Sequence, residues 1–299
     1  SSSYNPIIGT DTANTLIASG LSDDITAKGG DDLVTGVGNN DTISLGVGDD
    51  TLSIINQFNI YKNISVEGGA GTDSLYFNWG TKDSTIRGGS DNDSFYFTSD
   101  SGNKIYGDMG SDFLGMPGGL FKSSVYGGNL NDATSNDGDD SISLGNGALS
   151  GFINGNGGSD TIYFTNVDQS SMYGGQGDDR ILGQKNLERS LTSSYITGNI
   201  GNDTIELIGY KAENTTIFGG GGYLFDTSND GSDSIVIFNT EPYGISNALI
   251  HGNGGNDTFF LTSKNATSGS YDSQGIYESS IYGGPVSYTH LTLPTNCVV

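Results

Sequence analysis

With one cysteine in 299 residues, Cys297, the chain has no pair for an internal disulfide. Basic residues are scarce: 11 Lys and Arg stand against 35 Asp and Glu, giving a formal charge of −24. That balance argues against nucleic acid, whose phosphates need Lys and Arg, and against anionic membrane surfaces. No apolar run reaches the ~20 residues that span a bilayer. Only 33% of residues are hydrophobic, so a conventional core would be thin and disorder is the main competitor. Histidine occurs twice. There is no His-Glu-x-x-His, no Gly-x-Ser-x-Gly and no Cys-His pair. The expectation is a protein without a catalytic site.

Glycine is plentiful, 49 residues, and its placement is periodic. Gly68-Gly69-Ala70-Gly71-Thr72-Asp73, followed by an apolar strand, returns in altered copies. These end at Asp93, Asp112, Asp160, Asp179, Asp203 and Asp257, with two interrupted copies ending at Asp140 and Asp233. A last copy begins at Gly283-Gly284 and does not finish. The first glycines lie 20, 19, 20, 28, 19, 24, 21, 33 and 31 residues apart. A unit near 20 residues with insertions indicates a solenoid.

Alternation after each acid sets the expected inward pairs. They are Leu75/Phe77, Phe95/Phe97, Ile142/Leu144, Ile162/Phe164, Ile205/Leu207, Ile235/Ile237 and Phe259/Leu261. A second column, Val66, Ile86, Ile105, Val125, Ile153, Met172, Ile196, Ile217, Ile250 and Ile281, precedes the glycines. No 3.6-residue apolar period supports a helix. The fold class expected is all-β: a parallel β-roll or β-solenoid of ~20-residue coils, its glycine-Asp turns stacked mainly along one edge. Residues 1–52 form a start with nine-residue units, marked by Asp24, Asp32, Asp41 and Asp50, and 53–285 carry the longer coils. Residues 286–299 break the repeat and resemble a sequencing-library adapter read in frame. They are expected to be a non-native tail, which sets His290 and Cys297 aside.

The turns offer hard oxygen ligands. Calcium takes six to eight oxygens from carboxylates and carbonyls, and glycine lets a backbone carbonyl come close. Two stacked turns sharing an ion, each giving carbonyls and one Asp, would meet that need. The expected metal-binding residues are Asp24, Asp32, Asp41, Asp50, Gly68, Asp73, Gly88, Asp93, Asp112, Asp140, Gly155, Asp160, Gly174, Asp179, Asp203, Asp233, Gly252 and Asp257. Metal-free carboxylates stacked ~5 Å apart would repel at every step.

This pattern resembles the RTX, or haemolysin-type, calcium-binding repeat: glycine-glycine-x-glycine-x-aspartate-x-apolar-x. The resemblance implies a parallel β-roll holding several Ca2+ ions. It implies type I secretion of an unfolded chain and folding on external calcium, placing the protein outside the cell or at its surface. The role implied is a structural or adhesive module, with a surface polysaccharide or another cell-surface protein as partner. The alternative is a non-catalytic module of an RTX toxin, protease or lipase whose catalytic domain lies elsewhere. Gly107-Asp108 and Gly198-Asn199-Ile200 depart from the pattern by lacking the second glycine, which weakens the expectation for those two turns.

Two insertions are near copies: Ser135-Asn136-Asp137-Gly138-Asp139-Asp140 and Ser228-Asn229-Asp230-Gly231-Ser232-Asp233. Asp226, Ser228, Asp230 and Gly231 fit the first half of an EF-hand loop, but Ile237 stands where that loop needs Glu. They are read as a duplicated acidic surface loop. An outward row, Tyr106, Tyr126, Tyr173, Phe218, His251 and Tyr282, is read as cross-strand packing rather than a sugar platform.

Overall fold

The computed structural model describes residues 4–20, 22–55, 60–78, 80–129, 137–183, 190–209, 211–221, 230–239, 245–263, 276–283 and 290–292. Every regular element among them is a β-strand. The chain divides into two compact units, residues 1–146 with 151–157, and 147–150 with 158–299.

In the first unit each coil contributes one strand to each of two parallel sheets. Ser65–Ala70, Thr85–Ser90 and Lys104–Met109 are successive strands of the first sheet, aligned so that Val66, Ile86 and Ile105 form one column. Ser74–Phe77, Ser94–Phe97 and Phe113–Met116 are successive strands of the second, aligning Leu75, Phe95 and Leu114. These side chains are at most 1% exposed. Phe77 and Phe97 stack at 4.5 Å with rings 5° apart. Full burial of each such side chain contributes roughly 1.5–3 kcal/mol. Thin as the core is, it is continuous, because a strict period puts like on like.

The second unit repeats the scheme. Tyr195–Ile200 lies between Ser171–Gln176 and Thr216–Gly220, which stacks Met172, Ile196 and Ile217. Thr204–Ile208 lies between Arg180–Gly183 and Ser234–Asn239, which stacks Ile181, Ile205 and Ile235. His290–Thr292, in the segment expected to stand outside the repeat, pairs in parallel with Thr258–Ser263. The register places Leu291 beside Phe259 along the backbone.

The edge opposite the glycines holds short strands that alternation does not reveal. Tyr61–Lys62, Thr81–Lys82 and Asp100–Ser101 form a narrow third ladder in the first unit. Val167–Asp168, Ser190–Thr192, Lys211–Glu213 and Ile245–Ser246 do so in the second. Each coil then turns through a left-handed residue, such as Asn63 (φ 56°), Asp83 (φ 52°) and Asn214 (φ 51°). After Asn63 the next residue is the buried Ile64, and in most later coils it is polar, inward and buried: Ser84, Asn103 and Ser123 in one unit, Ser170, Ser194 and Thr215 in the other. Ser84 donates its backbone N–H to Oδ1 of Asn103 at 3.0 Å, and Asn103 donates its own to Oγ of Ser123 at 3.0 Å. From Ser84 to Ser123 these neutral groups close the coil without charge. Trp79 and Gly284 lie outside the described residues.

Candidate metal-binding edge

On the glycine edge an aspartate ladder takes the place of the Ser/Asn ladder. Asp50, Asp73 and Asp93 each donate a backbone N–H to Oδ1 of the next rung's aspartate, Asp73, Asp93 and Asp112, at 2.7–2.8 Å. Asp32 donates to Asp50, and Asp112 to Asp140, at 2.7 Å. In the second unit the steps are Asp160 to Asp179, Asp179 to Asp203, Asp203 to Asp233 at 2.8 Å, and Asp233 to Asp257 at 3.1 Å. All of these aspartates are at most 2% exposed.

One oxygen of each carboxylate is thereby used. The other, Oδ2, is buried without a hydrogen-bond partner at Asp32, Asp50, Asp73, Asp93, Asp112, Asp179, Asp203, Asp233 and Asp257. A buried, unpaired carboxylate oxygen costs free energy unless something cationic meets it. From Gly68 on, the turn brings a second oxygen to it. A Cβ added to Gly68 would lie closer than 3.0 Å to both Oδ2 of Asp73 and the carbonyl oxygen of Gly88. Gly88 has the same relation to Asp93 and Gly107, and Gly174 to Asp179 and Gly198. Gly252 repeats it with Asp257 and Gly283. Each of these glycines, with Gly107 and Gly127, therefore leaves room for a carboxylate of its own rung and a carbonyl of the next. Hard oxygens from two rungs facing one gap suit a calcium ion. Among the described residues no three carboxylates or imidazoles converge on one point, so carbonyls must supply much of any ligand set.

Burial raises the pKa of Asp50, Asp73, Asp93, Asp112, Asp179, Asp203, Asp233 and Asp257, and neighbouring carboxylates add to the shift. Asp73 is pushed up to about 7, Asp93 to about 8, and Asp179 and Asp233 to about 9. Asp203 reaches about 7 for the same leading reason. Without a cation the ladder favours protons over charge.

The sequence expectations meet this geometry unevenly. Asp24 is exposed, and Asp23 instead occupies the buried position, donating its N–H to Oδ1 of Asp41 at 2.9 Å. One residue along a strand reverses the face, so Asp24 points away from the turn. Asp41 is buried on the edge opposite, where Oδ2 already accepts the Gly38 N–H at 2.6 Å. In the coils of Asp32 and Asp50 the first turn position is Ala27 and Leu45, whose side chains occupy the space that later rungs leave beside glycine. The departures from the glycine pattern leave the ladder intact. Asp108 (φ 81°) and Asn199 (φ 80°) adopt the left-handed backbone of the missing glycine, as Asp and Asn tolerate. Asp108 is paired with the Arg87 guanidinium through both oxygens.

The insertions are not simply surface loops. Asp137 and Asp230 turn inward against Gly128 and Gly220. Ser135, Asn136, Asp226, Ser228 and Asn229 lie outside the described residues. The outward aromatics stack on one another: Tyr106 and Tyr126 lie 4.9 Å apart with rings 8° from parallel. Tyr195 and Phe152, absent from the expected row, join it beside Phe218 and Tyr126. Stacked rings offer their edges outward and spend their faces on each other.

The family model for the RTX calcium-binding nonapeptide repeat (4 copies) matches residues 17–52, 80–102, 152–166, 170–185 and 247–263. No curated protein matches in sequence. Among solved structures, the chain is similar to a hyperactive, Ca2+-dependent, β-helical antifreeze protein from an Antarctic bacterium. That likeness has a TM-score of 0.57 at 17% identity and covers 88% of this chain and 86% of that one.

Proposed function

We propose that this RTX parallel β-roll protein, whose repeats are of the calcium-binding type, is a structural or adhesive module that folds on calcium outside the cell. The observation that carries the reading is the set of buried aspartate Oδ2 atoms without hydrogen-bond partners at Asp73, Asp93, Asp112, Asp179, Asp203, Asp233 and Asp257. Gly68, Gly88, Gly174 and Gly252 admit carbonyls, Gly155 lends its own carbonyl to the space beside Gly127, and Asp73, Asp93, Asp112, Asp140, Asp160, Asp179, Asp203, Asp233 and Asp257 would supply charge. Each ion would neutralise part of the −24 that opposes a compact fold. A secreted or surface location, where calcium modules work at ~10⁻⁴–10⁻³ M, goes with this reading.

The ladder uses the carboxylates structurally, which supports a non-catalytic role. A module of a longer RTX toxin, protease or lipase is the second reading, favoured by the same repeats. Extending the reading frame separates the two: an adjoining catalytic motif supports this second reading, and further repeats the first. The antifreeze activity named for the structural neighbour is not carried over. A surface matched to a crystal lattice needs one side chain repeated at fixed spacing. Here the aligned third turn position runs Ala70, Ser90, Met109 in one unit and Gln176, Ile200 in the other. Equilibrium dialysis against calcium tests the proposal: several ions per chain are expected, and fewer than two would defeat it.

A further inference from the structure

Two rungs depart from the rest in the same way. In the coils that begin at Gly127 and Gly219 an insertion splits the turn after the second glycine. The chain rejoins at Asp137-Gly138 and Asp230-Gly231, and Asp137 bridges in parallel to Gly110 of the preceding rung. In uninterrupted rungs a carbonyl fills the space beside the second glycine: that of Gly46 beside Gly69, and that of Gly69 beside Gly89. Gly69 and Gly89 have φ 121° and 120°, whereas Gly128 and Gly220 are outside the left-handed range, so the space beside these two faces another way, and the carboxylates of Asp137 and Asp230 fill it.

Each of these carboxylates is anchored by one oxygen. Oδ2 of Asp137 accepts the Gly157 N–H at 3.0 Å, and Oδ2 of Asp230 accepts the Gly254 N–H at 2.7 Å. Oδ1 of both is buried and has no hydrogen-bond partner. Nearby ladder carboxylates have the same need. Asp112 is 2% exposed, and its unpartnered Oδ2 lies with the Gly127 carbonyl beside Gly107, one peptide from the Asp137 contact at Gly128. Asp233, also 2% exposed, directs its unpartnered Oδ2 at Gly219, adjoining the Asp230 contact at Gly220. Asp203 and Asp257 are within electrostatic reach of Asp230 as well.

The sequence carries a matching mark. The coil after each insertion has Asn-Gly at its second and third positions, Asn156-Gly157 and Asn253-Gly254, and these are the glycines that donate to Asp137 and Asp230. The uninterrupted copies at Gly68, Gly88, Gly107, Gly174 and Gly198 have Ala70, Ser90, Met109, Gln176 and Ile200 at the third position. An acid below and a glycine above therefore occur together twice.

We propose that Asp137 and Asp230 are ligands of two reinforced calcium sites, one per insertion, where a carboxylate that uninterrupted rungs lack joins the oxygens of the ladder. The proposal rests on the calcium-turn reading above. More ligand charge means tighter binding of a hard divalent ion, so these two sites should fill first.

Equilibrium dialysis of the full chain at buffered free calcium tests this. The unsubstituted chain should keep two ions after the others have left. Asp137→Asn should release one of them, and Asp137→Asn with Asp230→Asn both, at free calcium at least about tenfold higher. The exposed Asp178→Asn should release neither. If the double variant keeps both tight ions, this proposal fails while the calcium-turn reading stands. If the unsubstituted chain binds no calcium, both fail. Carbodiimide labelling of the unsubstituted chain avoids any folding defect of the variants. With two equivalents of calcium, Asp137 and Asp230 should be shielded first, and labelling at the rate of the calcium-free chain would overturn the proposal.

Discussion

Asp93 donates its backbone N–H to Oδ1 of Asp112 at 2.7 Å while its own Oδ2 lies buried beside Gly88 without a hydrogen-bond partner. Each rung thus uses half of a carboxylate to hold the rung before it and presents the other half to the gap between turns. The same atoms that set the register create the demand for a cation.

Gly88→Ala tests the shared gap. Its Cβ would overlap Oδ2 of Asp93 and the Gly107 carbonyl. A loss of about 1–3 kcal/mol is expected from overpacking, with weaker calcium binding, read by denaturant unfolding and by ion count. Gly20→Ala is the comparison, because no atom lies within 4 Å of its added Cβ and only the backbone at φ +79° is strained. It should cost about 1 kcal/mol and leave calcium binding unchanged. Equal calcium loss in both would show that the space beside Gly88 is not a ligand gap.

Acid should partly replace calcium. Burial and neighbouring charge raise Asp73 to about 7, Asp93 to about 8, and Asp179 and Asp233 to about 9 in the fold. The ordinary value is 3.8. A raised folded-state pKa means stability fully present below the unfolded value and lost as pH climbs through the folded one. The metal-free chain should therefore be most ordered near pH 4 and lose order through about pH 7–9. Thermal unfolding in chelator across that range checks it; stability rising with pH would contradict the ladder.

Asn103→Ala separates the two edges. Asn103 accepts the Ser84 N–H at 3.0 Å and donates to the Thr81 backbone oxygen and Oγ1 at 3.0 and 2.8 Å. Leaving those buried groups unpaired should cost about 1–3 kcal/mol, seen as an earlier denaturation midpoint in saturating calcium. The number of bound ions should not change; a lost ion would place metal on this edge too.

Much of this was legible in the sequence because a repeat averages its own noise. Columns such as Val66-Ile86-Ile105 and the buried aspartates from Asp73 to Asp257 follow from period and alternation alone. The misplacement of Asp24 came from adjacent acids on one strand, where composition cannot say which faces inward. The third ladder was hidden because two-residue strands such as Thr81–Lys82 are too short to alternate. The inward turn of Asp137 and Asp230 was hidden for another reason: it depends on Gly157 and Gly254 one coil later, a pairing across rungs rather than along the chain. The Asn-Gly pairs after both insertions were the available signal.

The central claim is that cations between rungs cancel the ladder's charge and so permit the fold. Far-ultraviolet circular dichroism at about pH 8, in chelator and then with calcium added to a millimolar level, tests it most directly. A largely unordered spectrum that converts to β on calcium is expected. A full β spectrum in chelator, unchanged by calcium, would contradict it.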